Sequence, residues 1–209
     1  MNCMAQDAFF MKRIVRVFIL GGLLATGLLF CSGCASEYGV ATRKLFLEQN
    51  AYNQRYKMSG PMYRVTTITV HNTANKGSAQ AERDYLNRRT DKVSVSFHFA
   101  VDENEVVQIL PLNVHAWHAG DGKGKGNMES IAVEICRSTH PDQKLYRKAE
   151  ANAVKLIARL LVEYGLSPRA LRMHKDWSGK HCPHRILDER RWPDFVDRVT
   201  EEWLRLKKR

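Results

Sequence analysis

Apolar positions recur at two periods along this chain, and the places where the period changes mark its elements. The run from Arg64 to Val70 is rich in β-branched residues and bounded by polar ones, which predicts a strand. Val95–Val101 and Val106–Leu110 predict a hairpin across Asp102-Glu103-Asn104-Glu105, closed by Pro111. Ile131 to Ile135 predicts a further strand. Between them, Ala79 to Arg89 has helical character, with Ser78 placed as its N-cap. Leu145, Ala149, Ala153, Leu156, Ile157, Leu160, Leu161 and Tyr164 repeat at helical spacing, and Gly165 and Pro168 end that helix. Trp192, Phe195, Val196, Val199, Trp203 and Leu206 predict a helix at the C-terminus. Strands interleave with helices, with no internal repeat and no sign of a second domain. The expected fold is therefore α/β, one domain with a mixed central sheet flanked by helices.

One apolar segment fits neither period. Val17 to Phe30 follows the cations Lys12, Arg13 and Arg16 and precedes Ser32, Gly33, Ala35 and Ser36, the order of an export signal. It is shorter than the roughly 20 residues of a spanning helix. Cys31-Ser32-Gly33-Cys34 resembles a bacterial lipobox, which implies cleavage before Cys34 and lipidation of that residue. Cys31 departs from the pattern, where leucine is usual, so simple secretion and an uncleaved signal anchor stay open. The expected organisation is a signal peptide over 1–34, a tether and N-terminal arm over 35–62, and the main domain over 63–209. That organisation places the protein at the cell envelope, facing the periplasm if the host has two membranes.

Composition narrows the class. The chain has 209 residues, 44% of them hydrophobic, which describes a globular domain and not a disordered one. The formal net charge of +11 suits a polyanion. The cations are scattered and no nucleic-acid signature accompanies them. A nucleic-acid partner is not expected, whereas an acidic wall polymer satisfies the same electrostatics. Only Cys34, Cys136 and Cys182 would remain after cleavage, so no disulfide framework is expected.

The candidate chemistry lies in His71, His174 and Cys182. Two imidazoles and one thiolate make three zinc ligands, and a missing fourth protein ligand is what separates catalytic from structural zinc. The same residues read separately would be a buried thiol and two unrelated histidines. Lys180 stands two positions before the thiol, and Glu134 interrupts the apolar Ile131–Ile135 run.

Five segments in order carry a family resemblance: Val70-His71-Asn72-Thr73-Ala74, Ser96 to Asp102, Trp117 to Gly122, Gly126 to Cys136, and His174 to Pro183. Together they resemble the type 2 zinc-dependent N-acetylmuramoyl-L-alanine amidases, a fold shared with peptidoglycan recognition proteins and amidase-type phage lysozymes. The resemblance implies one Zn2+ at the sheet edge on His71, His174 and Cys182. It implies Glu134 as the acid–base carboxylate and Lys180 as the stabiliser of the oxyanion. Asn72, Phe97, Trp117 and His118 are expected to contact substrate, and Lys123 and Lys125 are candidates for its carboxylates. Phe97 stands where some relatives carry a tyrosine and cannot donate a hydrogen bond. The implied substrate is peptidoglycan or a muropeptide, cut between N-acetylmuramic acid and L-alanine by a monomer. The alternative is a module that binds muropeptide without cutting it.

Overall fold

A six-stranded mixed sheet organises residues 36–208, the part of the chain that the computed structural model describes. Its strands are β1 (Thr42–Lys44), β2 (Thr67–Asn72), β3 (Phe99–Val101), β4 (Val106–Gln108), β5 (Ser130–Ile135) and β6 (Leu171–Met173), in the spatial order β1-β4-β3-β5-β2-β6. All neighbours run parallel except the β3–β4 hairpin. The carboxylate of Asp102 builds the hairpin turn by accepting the amides of Asn104 and Glu105. Its other oxygen accepts the amide of Ala79, which ties the turn to the helix that begins there.

The helices are α1 (Ala51–Tyr56), α2 (Ala79–Arg88), α3 (Lys125–Met128), α4 (Gln143–Glu163), α5 (His174–Ser178), α6 (His184–Asp188) and α7 (Trp192–Lys207). Ser78 caps α2 as expected, its hydroxyl accepting the amide of Ala81. Gly165, with φ +64°, ends α4 in the left-handed region. Alternation along β2 and β5 splits the core in two. Ile68, Val70, Ile131, Val133 and Ile135 face α4, joined by the buried Leu156, Ile157 and Leu160 of that helix. Ala132 faces the other way and packs with Ala79 and Leu86 of α2. Each fully buried leucine or isoleucine contributes about 1.5–3 kcal/mol. α7 lies on α4, where the buried Glu150 receives a bidentate bond from Arg191 (2.8 and 2.7 Å) and a bond from Arg198 (2.6 Å).

Several strand boundaries differ from the sequence reading. The strand expected at Arg64–Val70 runs instead from Thr67 to Asn72, because its ladder with β5 continues through His71 and Asn72. The strand expected from Val95 begins only at Phe99, since Ser96 bonds to the carbonyl of Trp117 instead of a neighbouring strand. The segment 36–62, expected to combine tether and arm, supplies edge strand β1, helix α1 and the buried Tyr38, Val40, Leu47 and Met62. The expected signal segment and Cys34 lie outside the described residues. Among the described residues no helix is long and apolar enough to cross a membrane.

Candidate metal centre

The carboxyl ends of β2, β5 and β6 meet at one edge of the sheet, the usual place for a ligand site in an open α/β fold. His71 and Glu134 are register partners on β2 and β5, so both project from the face opposite α4. Parallel pairing of β6 with β2, Val70 opposite Met173, delivers His174 as the first residue of α5. Trp177, one turn along α5, donates its indole N–H to Thr69 Oγ1 at 2.9 Å and anchors that helix on β2. Cys182 follows in the short loop before α6, where Lys175 N bonds to the Cys182 carbonyl at 3.0 Å.

His71, His174 and Cys182 are buried, and each presents one donor atom within 4.8 Å of the others. His71 Nδ1 lies 3.1 Å from His174 Nδ1 and 3.7 Å from Cys182 Sγ. Tetrahedral bonds of the usual zinc lengths would separate such atoms by about 3.3–3.7 Å. The donor set therefore fits a metal ion. The electrostatics agree. Burial first, then His118, His174 and Lys180, holds His71 well below the ordinary histidine range. Burial and then Lys180 bring His174 down to about 4. Both imidazoles are thus neutral and free to offer a lone pair. Burial, and then Glu134, pushes the Cys182 thiol up to about 12, a cost that a bound cation would reverse.

Glu134 Oε1 is 4.0 Å from His71 Nδ1, while its Oε2 is buried without a hydrogen-bond partner among the described residues. Burial, followed by the charge of Glu82, raises this carboxyl to about 8, with Lys180 opposing. A cleft of about 500 Å³ opens over the cluster and is lined by Ser96, Phe97, Trp117, Glu134 and Lys180 among others. A second lobe of about 370 Å³ runs past Tyr85, Arg89 and His184 and shares Glu134, Lys180 and Cys182 with the first.

The other expected contact residues, Asn72, Phe97, Trp117 and His118, all line the cleft. Trp117 lines the cleft, its ring edge-on to His115 at 5.0 Å and its N–H donated to Ser59 Oγ at 3.0 Å. Phe97 is buried against Ala100 and Ala132 and shows one face to both lobes. The side chain of Asn72 is engaged by the protein itself: its amide donates to Tyr146 Oη (3.2 Å), and its oxygen accepts Arg185 N (3.0 Å). His118 lies on the cleft wall, its Nδ1 3.0 Å from His71 Nε2. His98 accepts the Ala132 amide on Nδ1 and donates from Nε2 to the Val114 carbonyl, so both its nitrogens serve the fold.

Sequence reasoning did not single out Asn127. Its Oδ1 accepts the amides of His118 and Ala119 at 2.7 and 2.8 Å, and Asp121 holds the amide of Gly126 in turn. The glycine-rich loop is therefore a clasp and not a free flap. Gly126 has no room for a side chain, since a Cβ there would lie 2.5 Å from that of Ala119 and 2.8 Å from the Trp177 ring. The glycine spacing of the loop was the one visible signal.

Residues 61–185 match the family model described as N-acetylmuramoyl-L-alanine amidase. The N-acetylmuramoyl-L-alanine amidase XlyB of Bacillus subtilis (strain 168) is 52% identical over 136 residues, 65% of this chain and 42% of that protein. The chain spans about half the length of the curated relatives it matches. Among solved structures, PlyL matches with a TM-score of 0.70 at 40% identity, over 77% of this chain and 98% of that one. The catalytic domain of XlyA matches with a TM-score of 0.67 at 40% identity, over 77% and 99%.

Proposed function

The chain belongs to the N-acetylmuramoyl-L-alanine amidase family, and on that premise we propose that it hydrolyses the amide between N-acetylmuramic acid and L-alanine in peptidoglycan or muropeptides. The carrying observation is the set of three buried donors beside the unpartnered oxygen of Glu134, at the floor of an open cleft. His71 Nδ1, His174 Nδ1 and Cys182 Sγ would hold zinc. When bound, zinc supplies Lewis acidity toward a water and the scissile carbonyl. Glu134 takes the proton from the attacking water at Oε2 and later returns it to the departing L-alanine nitrogen. Lys180 donates to the oxygen on which negative charge develops, a kind of contact worth about 10²–10³ in rate. Trp117 and Phe97 offer aromatic faces to the substrate.

The test is mass spectrometry of products from purified sacculi and from soluble muropeptides. Release of peptides with a free L-alanine amino terminus, abolished by chelation and restored by zinc, supports the reading. Glu134→Gln should retain zinc and lose turnover by at least about 10². Full activity after exhaustive chelation would sink the zinc role, and binding of muropeptide without cleavage would assign the chain as a recognition module.

We also propose, from the sequence of residues 12–36, that the chain is exported and carries lipid on Cys34, which would hold it beside its polymeric substrate. Intact mass of the membrane fraction should show the acyl chains. A Cys34→Ala protein that stays in that fraction would instead favour an uncleaved anchor.

A further inference from the structure

His71 and His118 are packed edge to face, ring centroids 5.1 Å apart at 83°, and both are buried. Their contact is specific in its atoms. Nδ1 of His71 points into the donor cluster, 3.1 Å from His174 Nδ1 and 3.7 Å from Cys182 Sγ. Its other nitrogen, Nε2, meets Nδ1 of His118 at 3.0 Å. A neutral imidazole carries one proton and one lone pair. If Nδ1 of His71 is to be a ligand, the proton must sit on Nε2, and Nδ1 of His118 is the acceptor that keeps it there.

His118 is itself held by the backbone. Asn127 Oδ1 receives the amides of His118 and Ala119, Asn127 Nδ2 donates to the Gly122 carbonyl at 2.8 Å, and Asp121 accepts the amide of Asn127 at 3.2 Å. The clasp thus fixes the backbone from which the His118 ring projects. The two histidine ligands are supported differently, because His174 has the backbone of Ala119 beside it where His71 has a second imidazole.

We propose that His118 is a positioning residue: it fixes the tautomer and ring orientation of His71, and the loop clasp from Asp121 to Asn127 exists to place it. The proposal rests on reading the cluster as a zinc site. Partners of this outer kind typically change metal affinity by about 10- to 100-fold when removed.

Zinc affinity, measured by chelator competition, separates this role from simple packing. His118→Leu keeps the volume and loses the acceptor, and should weaken zinc by about 10- to 100-fold. His118→Asn places Oδ1 near the position of the lost Nδ1 and should recover most of that loss. Equal affinity in the leucine variant and the parent, or equal loss in both variants, would overturn the proposal. Nitrogen chemical shifts of the histidines in the unsubstituted, metal-free protein give a second readout that needs no variant to fold. They should place the His71 proton on Nε2, and a proton on Nδ1 would overturn the proposal. Neither measurement uses hydrolysis, so a chain that binds zinc but cleaves nothing would refute the amidase reading and leave this one standing.

Discussion

A histidine's job is set by what its two nitrogens meet. His98 shows the structural extreme: fully buried, it accepts from Ala132 and donates to Val114, so it stitches β5 to the loop after β4. Burial takes its pKa to about 4, against the unfolded value near 6.5. The unfolded chain therefore takes up this proton first as the medium becomes acid. The stabilising share of neutral His98 is complete above about pH 6.5 and drains as pH falls toward 4, at up to about 1.4 kcal/mol per pH unit. His98→Leu should cost about 2–4 kcal/mol at neutral pH, by orphaning the Ala132 amide and the Val114 carbonyl. It should also flatten the acid dependence. Urea denaturation at several pH values checks both, and parent and variant curves falling in parallel would assign the acid loss elsewhere. The same question explains what the sequence revealed about the site. His71, His174 and Cys182 were legible because each sits in a short local motif. The contact of His118 with His71 was not, because the two lie 47 residues apart and no local pattern pairs them.

At the scale of elements, long periodic segments and the β3–β4 hairpin were readable, and the short edge strands were not. α4 and α7 announce themselves through many apolar positions at one spacing, whereas β1 and β6 have three residues each and gain their identity only from the strands they pair with. The arm illustrates a second blind spot. Lys57 has no exposed surface, and its ammonium donates to the carbonyls of Leu86 and Arg89, which α2 leaves open at its C-terminus. Its Nζ also lies 5.0 Å from the centroid of the Tyr52 ring on α1. A lysine in a polar stretch reads as solvated, yet here it locks the arm to the helix that borders the second lobe of the cleft. Lys57→Met would preserve the buried stem and remove only the cap. It should lower stability by about 1–3 kcal/mol in denaturant melts. No change would mean that water caps the helix equally well.

At the scale of the whole molecule, the donor cluster joins parts of the chain that are far apart in sequence. His71 is 103 residues from His174 and 111 from Cys182, and the strand, helix and loop that carry them otherwise share only a few direct bonds, such as Trp177 to Thr69. An ion held by all three would cross-link β2 to the α5–α6 segment, and it would bind the folded chain far better than the unfolded one. Stability must then follow mass action, about 4 kcal/mol at a free zinc concentration a thousand times Kd. For a domain of this size that corresponds to a rise in Tm of roughly 8–16 °C. Calorimetry with and without chelator should show this shift, and Cys182→Ser, which removes the softest donor, should abolish most of it. Hydrogen exchange should find the lost protection around residues 174–184 first. α4, whose Leu156, Ile157 and Leu160 are fully buried, should hold until global unfolding. If chelation strips the metal and Tm stays where it was, the three donors are placed by packing alone, and the ion would serve chemistry without serving the fold.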